Sequence, residues 1–194
     1  EEQWGVKDAS TALSIVRSLQ KALRKGEWKI TVAIHSRLPG SAKAITAIWP
    51  GFHERIFGLA VDVGSTTIAA HLTDLATGEV VASSGLMNPQ IRFGEDLMSR
   101  VSYVMMNPGG DAEMTAAVRE ALNTLAEQVA EEAGAPLSDI LEIVLVGNPV
   151  MHHLLLGIDP TELGGAPFAL ATGLPVTRPA SELDLKLNPG AVAY

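Results

Sequence analysis

The stretch LAVDVGSTTIAAHLTD, residues 59–74, decides the fold, because two apolar runs meet there at a single polar turn. The first run covers residues 57–63 and the second covers residues 67–73, and each has the length of a strand. Three residues separate them, which is typical of a β-hairpin. The sequence therefore predicts two adjacent antiparallel strands with the turn at residues 64–66.

The predicted turn carries the groups that bind an anion next to a metal ion. Gly64 lets the backbone approach a ligand closely or take a positive φ. Backbone N–H groups can converge at such a turn, and the hydroxyls of Ser65, Thr66 and Thr67 add donors. Asp62 would face the same cleft, where a carboxylate suits hydrated Mg²⁺. These are the parts that phosphoryl transfer needs, although a hydrophilic turn without a ligand stays open as an alternative.

The elements after the hairpin predict an α/β fold. A third strand over residues 80–87 completes a three-stranded antiparallel meander. A long amphipathic helix follows over residues 112–133, then a buried strand at 142–148 and a short helix at 149–157. We expect parallel strands with flanking helices beside the meander, which is how a ribonuclease H-like half-domain begins. The strand at 57–63 is nearly all apolar, so we expect both its faces to be covered.

The residues before the hairpin form a separate pattern. A helix is predicted over residues 11–25, with Asp8 or Ser10 as its cap, and strands are predicted at 28–35 and 44–49. The segment RLPGS between the strands is predicted to be a turn. The chain therefore divides into a small α+β piece, residues 1–53, and a larger domain, residues 54–194.

Composition excludes several classes of function. Hydrophobic residues make up 47% of the chain and the mean hydropathy is +0.21, so a sizeable core is expected. The net charge of −8 argues against nucleic-acid binding through phosphates. No apolar window is long enough to span a membrane, so no membrane span is expected. A reducing cytoplasm fits a chain without cysteine, so we expect a cytoplasmic protein. The chain has no cysteine, which excludes disulfides and cysteine-ligated zinc or iron–sulfur sites within it.

Three segments carry a resemblance to a known superfamily. The segment LAVDVGSTTIAAHLTDLATGEVV resembles the first phosphate loop of the acetate and sugar kinase, Hsp70 and actin superfamily. NPQIRFGEDLMSR, residues 88–100, and VLVGNPVMHHLLLG, residues 144–157, are similar to one branch, the ATP-dependent reductive activators of corrinoid proteins. The resemblance implies the first half of an actin-like ATPase domain, preceded by the end of a small middle domain.

The resemblance also implies the function and its partners. Such an activator uses ATP and Mg²⁺ to restore the Co(I) state of a corrinoid protein, with electrons from a [2Fe–2S] ferredoxin-type domain that this chain does not include. A second half with the other phosphate loop is also expected outside this chain. We therefore expect a truncated form or a proteolysed product that is inactive alone. A homodimer is one option that the sequence leaves open.

The resemblance gives roles to individual residues. Asp62 would hold Mg²⁺, Gly64, Ser65, Thr66 and Thr67 would cradle phosphate, and Asp96 would position the attacking water. The alternative for Asp96 is a place in the first turn of a helix, paired with Arg100 at i+4. Gly147 and Asn148 end a strand at the start of a helix, where ligands of open α/β sheets bind.

Two other interpretations of the chain remain open. One is a small-molecule kinase of the same superfamily, which would need a substrate pocket with an in-line base. The other is a non-enzymatic interaction domain with a vestigial nucleotide site. The adjacent His152 and His153 point in different directions on a short helix, which makes them a poor chelating pair.

Overall fold

The computed structural model describes residues 8–36 and 42–194. A small three-stranded sheet with one helix comes first. Its elements are β1 (Ser10–Thr11), α1 (Leu13–Lys25), β2 (Ile30–Ser36) and β3 (Lys43–Pro50), and the strand order is β1-β3-β2. The predicted helix and both predicted strands are confirmed. The predicted turn RLPGS lies outside the described residues.

The start of α1 differs from the prediction. The helix begins after Ala12, which makes no side-chain capping hydrogen bond. Asp8 and Ser10 were predicted caps, and that prediction is wrong. Ser10 belongs to β1 instead and pairs in parallel with Ala44 of β3. Ser10 therefore forms part of a strand, although its residue type alone would place it at the start of the helix.

A six-stranded mixed sheet and three helices form the larger part. The elements are β4 (Phe57–Val63), β5 (Thr67–Asp74), β6 (Val80–Met87), α2 (Leu97–Met106), α3 (Gly110–Glu132), β7 (Ile140–Gly147), α4 (Pro149–Leu156), β8 (Arg178–Pro179) and β9 (Val192–Ala193). The strand order is β6-β5-β4-β7-β9-β8, and a 3₁₀ helix at Pro89–Phe93 precedes α2. The β4, β5 and β6 strands are antiparallel neighbours, and β7 lies parallel to β4, so the predicted meander and the predicted parallel strand are confirmed.

The core lies on one side of this sheet. Alternate residues of β4 point to that side, and each is at most 2% exposed. Helix α3 packs against β5 and β6, and its predicted apolar stripe is fully buried. The core residues from these elements are Phe57, Leu59, Val61 and Val63 of β4, and Met114, Val118, Leu122, Leu125 and Val129 of α3.

The opposite side of the sheet is exposed, and we call it the open face. It is formed by Ala60 and Asp62 of β4 and by Val144 and Val146 of β7. Val146 is 58% exposed. The expectation that β4 is covered on both faces is therefore wrong for the described residues. The reason is that the buried side chains of α3 and α4 join a single core cluster on one side of the sheet.

The small sheet contacts the large one at the start of β7. The indole Nε1 of Trp49 donates to the Asp139 carboxylate at 3.0 Å, and His53 stacks on Trp49 and lies 3.0 Å from the same carboxylate. Further along β7, Nδ1 of His35 lies 3.0 Å from Glu142. Asp139 is 5% exposed. A buried carboxylate is costly unless polar partners satisfy it, so the contacts with Trp49 and His53 stabilise it. None of the helices in residues 8–36 and 42–194 has the length and apolar character needed to cross a membrane.

Candidate functional site

The polar turn, residues 64–66, lies at the carboxyl edge of the two central parallel strands. Val63 ends β4 and is the register partner of Gly147, which ends β7. A side chain at position 147 would come within 3.1 Å of the Val63 carbonyl oxygen and 3.3 Å of the Met151 Cβ. The structure thus brings two predicted site segments together at the edge where open α/β sheets bind ligands.

Gly64 is required by a close backbone approach. Gly64 is not among the described residues that have a positive φ, so the predicted alternative that it takes a positive φ does not apply. A Cβ at this position would lie 2.5 Å from the carbonyl oxygen of Thr67, far inside van der Waals contact. The hairpin therefore closes tightly only with glycine here.

All three carbonyl groups of the turn are held by the protein. The Asn88 side chain donates to the Gly64 carbonyl at 2.8 Å, and the Asn88 backbone N–H donates to the Thr66 carbonyl at 2.8 Å. Arg100 Nη2 donates to the Ser65 carbonyl. In a trans peptide the next N–H points the opposite way, so these contacts turn the following N–H groups outward.

The outward N–H groups have the arrangement of an anion-binding nest. Within the described ranges, the N–H groups of Ser65 and Thr66 donate to no protein acceptor. Thr66 and Thr67 are exposed, so their hydroxyls are also accessible. Successive unpaired N–H groups at a turn form a concavity that favours negative charge.

The segment 88–100 packs beneath the turn. Asn88, Gln90 and Arg100 are each 0% exposed. The Gln90 side chain donates to the Met114 carbonyl at 3.0 Å, which ties the segment to α3. Gly94 is needed because a Cβ there would lie 2.5 Å from the Ser99 hydroxyl. This motif therefore supports the turn from the inside.

Asp96 caps α2. Its carboxylate accepts from the Ser99 N–H at 2.7 Å, and its own N–H donates to the Ser99 hydroxyl at 3.1 Å. The hydrogen bond from the Ser99 N–H lowers the pKa of Asp96. The alternative for Asp96 is confirmed in part: the residue caps the start of α2, and the charge of Arg100 also lowers its pKa. The two side chains do not form an ion pair, and Nε of Arg100 donates to the Gly94 carbonyl at 2.9 Å. The predicted water-positioning role of Asp96 stays a prediction.

Asp62 lies on the open face near the turn. It is exposed, and its neighbours across the strands are Ala69 and Val146, neither of which can neutralise it. In the part of the chain that the structure describes, its carboxylate makes no hydrogen bond or ion pair. No group of three or more histidine or acidic residues that could hold a metal occurs among the described residues. A single free carboxylate fits hydrated Mg²⁺, which keeps most of its waters.

Asn148 and the two histidines belong to α4. Asn148 caps the helix by accepting from the Met151 N–H at 3.0 Å. His153 is buried, with Nδ1 2.7 Å from the Pro149 carbonyl and Nε2 accepting from the Ala171 N–H at 3.1 Å, so both ring nitrogens have a backbone partner. The ring of His152 lies at 87° to it, which agrees with the prediction of a poor chelating pair.

His152 lines a cleft beside the turn. The cleft has a volume of about 310 Å³ and is walled mainly by apolar residues, including Val63, Leu155 and Leu174. Burial in this cleft lowers the pKa of His152, and the neighbouring His153 lowers it further. The cleft borders the carboxyl edge but adds few polar groups to it.

Sequence reasoning did not identify Arg100 as a support for the turn. A signal was available, because Arg100 shares the helical spacing of Leu97, Val101 and Val104 on the buried side of α2. An arginine at a core position needs polar partners, and the Ser65 carbonyl of the turn is one of them.

The described geometry defines a mixed α/β protein with a donor-rich turn at the carboxyl edge of its larger sheet. Family models match almost the whole chain: the RACo linker region matches residues 1–55 and the RACo middle region matches residues 57–194. The chain belongs to the RACo family, the reductive activators of corrinoid proteins.

Two individual proteins support this assignment. The corrinoid activation enzyme RamQ of Eubacterium limosum is 32% identical over 140 residues, which is 72% of this chain and 24% of RamQ. A solved structure titled reductive activator for corrinoid, iron–sulfur protein aligns over 100% of this chain with a TM-score of 0.85 and 31% identity. The chain spans 31% of that protein, so both relatives are much longer than this chain.

Proposed function

We propose that this chain is part of a longer ATP-dependent activator that reduces a corrinoid protein from the Co(II) to the Co(I) state. The reaction adds one electron to cobalt, and the electron would come from a [2Fe–2S] domain outside this chain. Membership of the RACo family and the likeness to RamQ support this proposal. The partner would be the corrinoid protein itself.

We further propose that residues 54–194 form the first half of an actin-like, ribonuclease H-like ATPase domain. The supporting observation is the order of elements: an antiparallel meander, then helices, then a strand parallel to the first one. Residues 1–53 would form a separate small unit, which agrees with a change of sheet after β3.

The observation that carries the nucleotide site is the inward orientation of the carbonyl groups of Gly64, Ser65 and Thr66. The N–H groups and hydroxyls on the other side of the turn would bind the phosphates of ATP. Gly147 and Asn148 would border the same site from the end of β7. Donors fixed before the ligand arrives stabilise phosphate charge without reorganisation.

Two carboxylates would complete the chemistry. Asp62 would hold Mg²⁺ through its waters, and the ion would neutralise phosphate charge when bound. Asp96 would orient the water that attacks the terminal phosphate, while its contact with Ser99 keeps it ionised. ATP would supply the drive for an uphill electron transfer through closure of the domains around the nucleotide.

The kinase alternative receives less support. It requires a substrate pocket with an in-line base, and the cleft beside the turn is walled mainly by apolar residues. The interaction-domain alternative requires a degraded site, whereas the turn keeps its glycine, hydroxyls and unpaired N–H groups.

The test uses the full-length protein that contains this chain. A corrinoid protein in the Co(II) state is mixed with reductant and ATP, and Co(I) is followed by its absorbance together with phosphate release. We expect Asp62→Asn to lower both rates by roughly 10²–10³, the typical loss for one preorganised electrostatic group. The melting temperature should hardly change, because Asp62 is exposed and its carboxylate makes no hydrogen bond or ion pair with the described residues.

Glu79→Gln is the matched control. Glu79 is also exposed, but it lies in the β5–β6 turn at the far end of the hairpin. It should leave the rates and the melting temperature unchanged. Absence of ATP-dependent Co(I) in the parent would reject the activator proposal. Normal turnover per folded molecule in Asp62→Asn would reject the role of Asp62 alone.

A further inference from the structure

Arg100 is a buried cation without a carboxylate partner. Its side chain is 0% exposed, and in the described ranges no acidic group lies within ion-pair distance of it. Burial lowers the pKa of the Arg100 guanidinium, but arginine stays protonated in proteins. The charge of Asp96, which lies beyond ion-pair distance, opposes this shift. Burying a charge without an ion-pair partner is costly, so the position needs an explanation beyond core packing.

The contacts of Arg100 are neutral acceptors. Nε donates to the Gly94 carbonyl at 2.9 Å, and Nη1 lies 3.4 Å from Gln90 Oε1 and 3.3 Å from the Met151 sulfur. Nη2 donates to the carbonyl of Ser65 in the polar turn. Each nitrogen of the guanidinium therefore has a neutral acceptor. The group keeps its positive charge and is hydrogen-bonded directly to the turn through Ser65.

Asn88 completes the set from the other side. Its side chain holds the Gly64 carbonyl and its backbone N–H holds the Thr66 carbonyl. The Asn88 side-chain oxygen is itself fixed by the Gln90 N–H at 2.9 Å. Consequently the three successive peptide groups of the turn cannot rotate without losing a buried hydrogen bond.

We propose that Asn88 and Arg100 act as a carbonyl clamp, which holds the turn in its phosphate-binding orientation and places a fixed positive charge behind it. They are positioning residues, because they face the carbonyl side while the ligand would face the N–H side. A bound phosphate would balance the charge of Arg100 across the turn. The inference rests on the proposed nucleotide site and assigns to it two residues that contact no ligand.

If the clamp holds the phosphate-binding turn, changing it should weaken the binding of nucleotides but not of nucleosides. In the full-length protein, we expect Arg100→Lys to weaken ATP and ADP binding by about tenfold, a change of about 1.4 kcal/mol. Lysine keeps the charge but loses the planar fork that reaches several acceptors. Adenosine has no phosphate, so its affinity should stay the same. ATP should also raise the melting temperature less in the variant than in the parent.

Arg119→Lys is the matched control. Arg119 also donates to a backbone carbonyl, that of Leu155, at 2.9 and 3.1 Å, but it does not contact the turn. It should change the melting temperature without separating ATP from adenosine. If Arg100→Lys does not fold, Asn88→Asp tests the clamp from its other side. That change is isosteric and replaces the donor to Gly64 with an acceptor.

The outcomes separate the two proposals. Calorimetry in which the parent binds ATP no better than adenosine would overturn the proposed phosphate site, and the clamp with it. A parent that binds ATP tightly, beside a folded Arg100→Lys or Asn88→Asp that binds it equally well, would overturn the clamp alone. Equal weakening of ATP and adenosine would point to a purely structural role and would also reject it.

Discussion

Gly64→Ala offers the most direct test of the turn geometry. The added methyl group would lie 2.5 Å from the Thr67 carbonyl oxygen, whereas ordinary contact begins near 3.4 Å. The clashing atom is backbone, so the hairpin must open by roughly 1 Å at the position where phosphate would bind. Overpacking of this kind costs about 1–3 kcal/mol. A displacement of about 1 Å in a catalytic site can lower the rate on the order of 10²-fold.

The matched control is Gly85→Ala in the same sheet. Gly85 pairs with Ala69 across β5 and β6, and a Cβ there would meet its nearest neighbour, the Ile68 carbonyl, at 3.5 Å. That is ordinary contact, so the control should melt and hydrolyse ATP like the parent. The assays are the melting temperature and steady-state phosphate release of the full-length variants.

Two results would refute the reasoning behind Gly64. One is a Gly64→Ala protein that hydrolyses ATP at the parent rate, which would show that the turn need not be tight. The other is an equal loss of activity in Gly85→Ala, which would show that the assay responds to any added methyl group in this sheet. A fall in both activity and melting temperature for Gly64→Ala alone is the expected pattern.

Three further predictions concern stability and the extent of the site. Trp49→Phe removes the donor to the buried Asp139 carboxylate and should cost about 1–3 kcal/mol, measured as a lower melting temperature; an unchanged value would contradict it. The folded pKa of His152 is lowered, so its contribution to stability is present above the unfolded pKa of 6.5 and is lost as the pH falls below it. His152→Gln should therefore flatten the loss of melting temperature between pH 7.5 and 5.5, and parallel curves would argue against it. Residues 1–194 alone should not bind ATP tightly, since one phosphate loop cannot offset the entropy cost of association, and micromolar affinity by calorimetry would disprove this.

The hairpin and the long helix could be predicted from sequence because local patterns determine them. Two apolar runs around residues 64–66 leave little choice but a hairpin, and helical spacing fixes the buried stripe of α3. The position of Gly147 beside the turn could be predicted because ligands of open α/β sheets bind at the carboxyl ends of the strands, where both segments lie. These inferences needed no knowledge of distant contacts.

The remaining features depend on contacts between distant parts of the chain. Ser10 is a good helix cap by type, but β3 offered it a strand partner 34 residues away. An apolar strand such as β4 predicts cover on both faces, whereas the placement of α3 and α4 on one side is a property of the whole topology. The polar partners of Arg100 come from the turn and the 88–100 segment, so helical spacing alone could not identify them.

Strand β7 physically connects the small unit to the polar turn, which matters for the proposed activity. The strand follows Asp139, which the small unit holds through Trp49 and His53, and it ends at Gly147 beside the polar turn. An activator of this kind must couple nucleotide turnover to the delivery of an electron from another domain. A strand hydrogen-bonded along its length to β4 resists bending, so a shift of the small unit would move β7 as a whole. Gly147 is the register partner of Val63, and a Cβ at position 147 would lie only 3.1 Å from the Val63 carbonyl oxygen. Such a movement would therefore reach the turn directly and change the position of its donors.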